Sequence, residues 1–260
     1  MLPTPTMRER LIIMKLTYLP CLLAISCVLA MASSAKGAQE SPTVDSVLEK
    51  YVKASGGRSA LEKISSRTIK GKLEMMIAGG AEWRFYAKAP DKQLVEVEIP
   101  GLGKSEDGFD GQVAWSKNAA GLRSKTGDEL AKAKRDSQFM RELNFKTIFP
   151  NVMVKGIAKV DGEDSNVLEF NTAGGSKETF YFSKSSGLLL RQDSEFSTGQ
   201  GKVISKAGFS DYRLVDGVNF PHAIKGSLNM AGQELEFTLK ITEVQHNIKL
   251  EDSKFSKPAA

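Results

Sequence analysis

The 260-residue sequence holds two cysteines, two histidines and no long apolar run beyond residue 32. Two cysteines cannot build a multi-thiolate zinc module or a disulfide framework. His222 and His246 stand far apart, with no local spacing of the kind that holds a metal, so each reads as a polar strand-end residue. No serine sits in a Gly-x-Ser-x-Gly elbow. Gly101-Leu102-Gly103-Lys104-Ser105 resembles a phosphate loop in outline, but Glu98 stands where the first glycine is required, and the stretch joins strands instead of opening a helix. Asp107, Asp110, Asp161 and Asp216 each precede glycine or open a glycine turn, and turn formation is their first role. Charge of one sign is also scarce: 36 basic against 31 acidic residues, dispersed along the chain, do not support nucleic-acid binding. These absences leave no expected catalytic group, metal or cofactor. The expectation is a binding protein, not an enzyme.

What is present begins with an export signal. Arg8, Arg10 and Lys15 precede the apolar run from Leu16 to Ala32, and the small residues Ser33-Ser34-Ala35-Lys36-Gly37-Ala38 follow. This is the build of a secretory signal peptide, assigned to residues 1–38, with cleavage after Ala35 or Gly37. It implies a periplasmic protein. Ala24-Ile25-Ser26-Cys27 also resembles a lipobox, and lipidation of Cys27 would make the protein an outer-membrane lipoprotein instead. Residues 39–260 contain no linker or composition break and read as a single domain.

Ser41-Pro42 is a helix start. Val44, Val47, Leu48, Tyr51 and Val52 then share one helical face until Gly56-Gly57, and a short second helix over 59–64 follows. From Ser66 the period changes to two. Ile69 and Leu73, then Trp83 and Phe85, then Val95 and Val97 alternate with charged residues, and Val113 with Trp115 marks a fourth strand. Gly127 to Phe149 breaks the pattern with one or two helices. Strands resume over 152–160, 165–171, 177–183, 187–197, 202–213, 217–229 and 233–245, with turns such as Asp161-Gly162, Ser186-Gly187 and Asp216-Gly217. The fold class is α+β: a strongly curved antiparallel sheet of about eleven strands, an unclosed half-barrel covered by the helices of 43–64 and 128–149.

The predicted inner face collects Trp83, Phe85, Val95, Val97, Trp115, Phe180, Phe182, Leu188, Phe209, Phe220, Phe237 and Leu239. Two readings of these residues stay open here. One is a packed core, as in an envelope interaction or structural module. The other is a cavity that takes an acyl chain. The densest basic cluster, Lys132, Lys134 and Arg135, is a solvated helix face or a contact for an anionic membrane surface or an envelope protein partner. A carboxylate hydrolase would require a pocket where two of Asp107, Asp110 and Asp211 converge with a raised pKa.

Ala87-Lys88-Ala89-Pro90-Asp91-Lys92 and Phe109-Asp110-Gly111-Gln112-Val113-Ala114-Trp115 carry a family resemblance. Phe180-Tyr181-Phe182 with Gly187-Leu188-Leu189-Leu190-Arg191, and Asp211-Tyr212-Arg213 with Asp216-Gly217-Val218-Asn219-Phe220-Pro221, extend it over most of 43–257. In this order the chain resembles the outer-membrane lipoprotein carriers of the Lol type and their lipoprotein-sorting relatives. The resemblance implies a monomeric half-barrel that transports a lipid or lipoprotein acyl chain in outer-membrane biogenesis. One departure is plain. Family members carry Arg before the Pro of the first turn, and this chain has Ala89, which separates apolar-ligand binding from lipoprotein transfer in particular.

Overall fold

The computed structural model describes residues 41–75, 79–172, 175–198, 201–230 and 232–259. The signal segment assigned to residues 1–38 lies outside the described residues. Pro42 to Ala260 forms one compact unit.

Helix α1 spans Val44–Ala54 and α2 spans Arg58–Leu61. The N-cap of α1 is Thr43, two residues later than Ser41: its hydroxyl accepts from the Ser46 amide at 3.1 Å and the Ser46 hydroxyl returns the bond. This reciprocal cap satisfies two amides that the helix leaves open. Val44, Val47, Leu48, Tyr51 and Val52 all turn inward, as their spacing predicts.

Thirteen strands follow, not eleven. They are β1 Ser66–Met75, β2 Gly79–Lys88, β3 Lys92–Ile99, β4 Gly103–Phe109, β5 Ala114–Asn118, β6 Gly121–Ser124, β7 Met153–Val160, β8 Glu163–Asn171, β9 Lys177–Ser183, β10 Leu189–Thr198, β11 Gly201–Val215, β12 Val218–Met230 and β13 Gln233–His246. Helices α3 Gly127–Asp136 and α4 Arg141–Ile148 separate β6 from β7, and a 3-10 turn, Asp252–Phe255, ends the fold. All strands join one antiparallel sheet in the order β6-β5-β4-β3-β2-β1-β13-β12-β11-β10-β9-β8-β7. The two meanders meet at its centre, where β1 pairs with β13 from Arg67↔His246 to Met75↔Phe237. Asp161-Gly162 and Asp216-Gly217 have positive φ at both positions, as two-residue hairpin turns require.

The two unforeseen strands are the polar ones. β4 reads Gly-Lys-Ser-Glu-Asp-Gly-Phe, with no apolar alternation, yet it pairs with β3 from Gln93↔Phe109 to Ile99↔Gly103. Asp107-Gly108 is therefore strand and not turn. Gly108 is required by a close approach: a Cβ there would lie 2.3–2.5 Å from the Trp115 indole. β6 is a four-residue edge strand, short enough to escape a period-two pattern.

Candidate functional site: a half-filled concave face

Two layers cover different parts of the concave face. Over β8–β10, α1 and α4 are packed down. Phe180 and Leu168 (0% exposed) and Phe182 (1%) meet Phe145, Phe149, Val47 and Leu48. Phe145 stands edge-on to Phe180, with ring centroids 4.8 Å apart, and Phe149 lies 4.9 Å from Phe180. Over β1–β3 and β10–β13 the face is hollow. A cavity of about 580 Å³ is walled there by half-buried Trp83, Phe85, Val95, Phe196, Phe209, Phe220, Ile224 and Leu228. Trp83 and Phe85 stack with centroids 6.0 Å apart. A larger, more open groove elsewhere is bordered by Glu74, Lys159, Asp161, Arg191, Lys225 and Glu236. Its charged rim suits water better than an apolar ligand, so the hollow of the concave face is the candidate site.

The predicted inner-face residues divide accordingly. Trp83, Phe85, Val95, Phe209 and Phe220 come together on the cavity wall. Phe180 and Phe182 point inward but lie sealed in the packed half. Leu239 is buried behind the lining, packed against Ile69 and Ile241, which do line the cavity. Val97 follows Val95 toward the hairpin end, beyond the lining. Leu188 borders a separate cleft with Lys50 and Lys53, and Phe237 borders the charged groove. Trp115 is on the opposite, convex face. Asp110 caps the amides of Gln112 and Val113, β5 starts at Ala114, and Trp115 stands opposite Gly108, which stands opposite Leu94 of the convex face. There the Trp115 indole donates to the Phe255 carbonyl at 2.9 Å, and Leu94, Phe255 and Leu250 enclose it. The three aspartates of the hydrolase reading do not converge. Asp107 pairs with Lys125, Asp110 caps its turn, and Asp211 pairs with Arg213.

One end of the cavity is polar, and the sequence did not single out its residues. Arg67, on β1, shares the inward parity of Ile69 and faces the cavity. A charged residue in phase with a buried face was the available signal. Its Nε donates to His246 Nε2 at 3.0 Å, and His246 Nδ1 lies 3.1 Å from Asp216 Oδ2. Asp216 thus selects the tautomer that leaves Nε2 free to accept. Burial, then the Arg67 charge, lowers the His246 pKa below its ordinary value, so the ring is held neutral. The guanidinium carbon of Arg67 lies 4.9 Å from the Phe220 ring centroid and 5.6 Å from that of Phe139. Burial also lowers the Arg67 pKa, and Glu142 counters part of that effect. Tyr51 is pushed well above its usual value by burial and then by Glu142; burial likewise raises Tyr212, whose hydroxyl donates to the Leu189 carbonyl at 2.6 Å.

Helix α3 covers the cavity in a different way from α1 and α4. None of its residues is buried. It is tied down by charge: Lys132 Nζ lies 2.9 Å from Asp136 and 3.2 Å from Glu178 of β9, and Arg135 Nη2 lies 3.8 Å from Glu178. Glu178 is itself buried and accepts from Gln192 at 3.0 Å and from Ser194. Burial alone would raise the Asp136 carboxyl, but Lys132 and then Arg141 bring it below its usual value. The network is incomplete. Among the described residues, Arg135 Nε and Nη2 and Asp136 Oδ1 are buried without a hydrogen-bond partner. Unsatisfied buried polar atoms cost free energy, so α3 is held less firmly than its ion pairs suggest.

No protein-family model matches the sequence, and no curated protein matches it. Solved structures do match. A DUF1329 family protein from Desulfovibrio piger superposes with a TM-score of 0.54 at 16% identity, covering 82% of this chain and 97% of that one. A putative outer membrane lipoprotein-sorting protein domain from Vibrio parahaemolyticus gives 0.53 at 16% identity, covering 81% and 97%. A LolA superfamily protein from Nitrosomonas europaea gives 0.51 at 15% identity, covering 83% and 98%. The wide antiparallel sheet, open at both edges and hollow on its concave side, is therefore the LolA-type fold.

Proposed function

We propose that this chain is an exported periplasmic carrier that holds one acyl chain, or an apolar ligand of similar shape, in the hollow of its concave face. The observation that carries this reading is the cavity of about 580 Å³ lined by Trp83, Phe85, Phe209 and Phe220, side chains a packed core would have sealed. That volume sits inside the roughly 300–1,000 Å³ common for small-ligand sites. The likeness in fold to a lipoprotein-sorting domain supports the same reading. The function is binding and handover, with no bond made or broken.

Ligand entry requires a cover that moves, and α3 is that cover. Its residues are at most partly buried and its tethers to the sheet are mainly ionic, so lifting it exposes less hydrocarbon than lifting α1 or α4 would. Lys132 and Arg135 exchange Glu178 for solvent when it lifts. The test is native mass spectrometry of the chain purified from a periplasmic fraction, followed by solvent extraction and titration with a fluorescent fatty acid. Stoichiometric bound lipid, or saturable uptake that weakens about tenfold in Phe220→Ala, is the expected result. An apo mass together with no uptake would refute the carrier reading and favour an envelope interaction module.

A further inference from the structure

The cavity is not uniformly greasy, and the group at its polar end is short of a partner. Arg67 spends its Nε on His246, and its two terminal nitrogens make no hydrogen bond among the described residues. No described carboxylate lies within 4.0 Å of it: Glu142 attracts it from beyond ion-pair distance. Neighbouring cations are better served, since Lys132 has Asp136 and Glu178. Three cationic side chains line the cavity, Arg67, Lys132 and Arg141, against two acids, Asp136 and Glu142. A cation between two phenylalanine rings in a partly buried site is costly unless a counter-charge completes it. Phe139 and Phe220 supply a cation–π attraction but no acceptor oxygen.

The guanidinium is also aimed. The Asp216–His246–Arg67 chain fixes Nε, which leaves the terminal pair of nitrogens as a fork for a planar two-oxygen anion. From Arg67 the apolar wall runs along β12 from Phe220 to Leu228, eight residue steps or roughly 26 Å of strand. The geometry points to a free fatty acid bound head-first, its carboxylate on the Arg67 fork and its chain along Phe220, Ile224 and Leu228. This assignment rests on the carrier reading and narrows it. The acyl chains of a lipoprotein are ester- or amide-linked and bring no carboxylate to that fork.

Delipidated protein titrated with palmitate and with methyl palmitate separates the possibilities, because the two ligands share a chain and differ in charge. Palmitate should bind at least about tenfold more tightly, the size expected of hydrogen bonds to a charged group. Arg67→Met should remove that preference, bringing acid and ester to about equal affinity. Arg67→Lys, which keeps the charge and loses the fork, should retain part of it. Equal binding of acid and ester by the wild-type chain would overturn the carboxylate assignment and leave the carrier reading standing, and this comparison needs no variant to fold. A preference that survives in Arg67→Met would also overturn it. Binding of neither ligand would remove the carrier reading and the assignment with it.

Discussion

The two halves of the concave face are built from the same kind of strand and end in different states. Over β8–β10, phenylalanines from the sheet meet phenylalanines from α4, and the space closes. Over β1–β3 and β11–β13, Phe85 meets Phe139 and Leu143 and Phe209 borders the packed half, but the space between Trp83, Phe85, Phe209 and Phe220 stays open. The covering helix there, α3, is charged and buries none of its residues. The difference is thus set by the covers more than by the sheet. An apolar helix makes a core and a charged helix makes a lid.

That contrast can be broken most forcefully from its closed side. Phe180→Ala should cost about 3–5 kcal/mol of stability, as expected for a buried phenylalanine with three aromatic neighbours, and urea denaturation would measure it. Phe220→Ala, in the hollow half, should cost under about 2 kcal/mol in the same assay, since its ring is only half-buried. Equal losses at the two sites would mean that the hollow is in truth packed. Next in size is the lid. Glu178→Gln removes the shared counter-charge of Lys132 and Arg135 and should weaken α3 docking by about 3 kcal/mol. Hydrogen exchange should then speed up over residues 127–136 and stay unchanged in α1; unchanged exchange over 127–136 would contradict the lid assignment.

The smallest effect expected lies on the convex face, at the tail that covers Trp115. Hydrogen bonds from Lys88 and Lys92 hold the Asp252 carboxyl at about 2, below its ordinary 3.8. A depressed carboxylate contributes stability above its unfolded value and loses it as the pH falls toward the folded one. In a Trp83→Phe background, Trp115 fluorescence should therefore stay native down to about pH 4 and shift between there and about pH 2. Asp252→Asn should flatten that transition. His246 gives a companion readout: its pKa is lowered by burial, so its contribution is complete above its unfolded value of 6.5 and declines as the pH falls below that. An imidazole nitrogen shift that reports His246 as protonated at pH 6.5 would contradict the Asp216–His246–Arg67 arrangement.

How far the sequence could be read follows the same division. Period-two alternation exposes a strand only where one face is apolar, so β1–β3 and β7–β13 were legible, and polar β4 and four-residue β6 were not. Parity predicted that Trp83, Phe85, Phe209 and Phe220 share a face. It failed at Trp115 because β4, which the pattern hides, sets the register: Trp115 stands opposite Gly108, itself opposite outward-facing Leu94. Whether an inward phenylalanine meets a helix or an open space depends on where α1, α3 and α4 settle, which no local pattern encodes. Phe180 and Phe220 look alike in sequence for that reason. Arg67 was missed because a basic residue at a strand end reads as solvated; its partners, His246 and Glu142, are distant in the chain.

The pairing of β1 with β13 sets the order in which the molecule can be made. The sheet's central seam joins its first and last strands, so it forms only once residues 233–246 have emerged. Until then the two meanders are separate half-sheets, each with an additional open edge, and contacts this distant in sequence are slow to form. A nascent chain of this design can build its two half-sheets but cannot join them before the end arrives, and the last hairpin acts as the latch that commits it to shape.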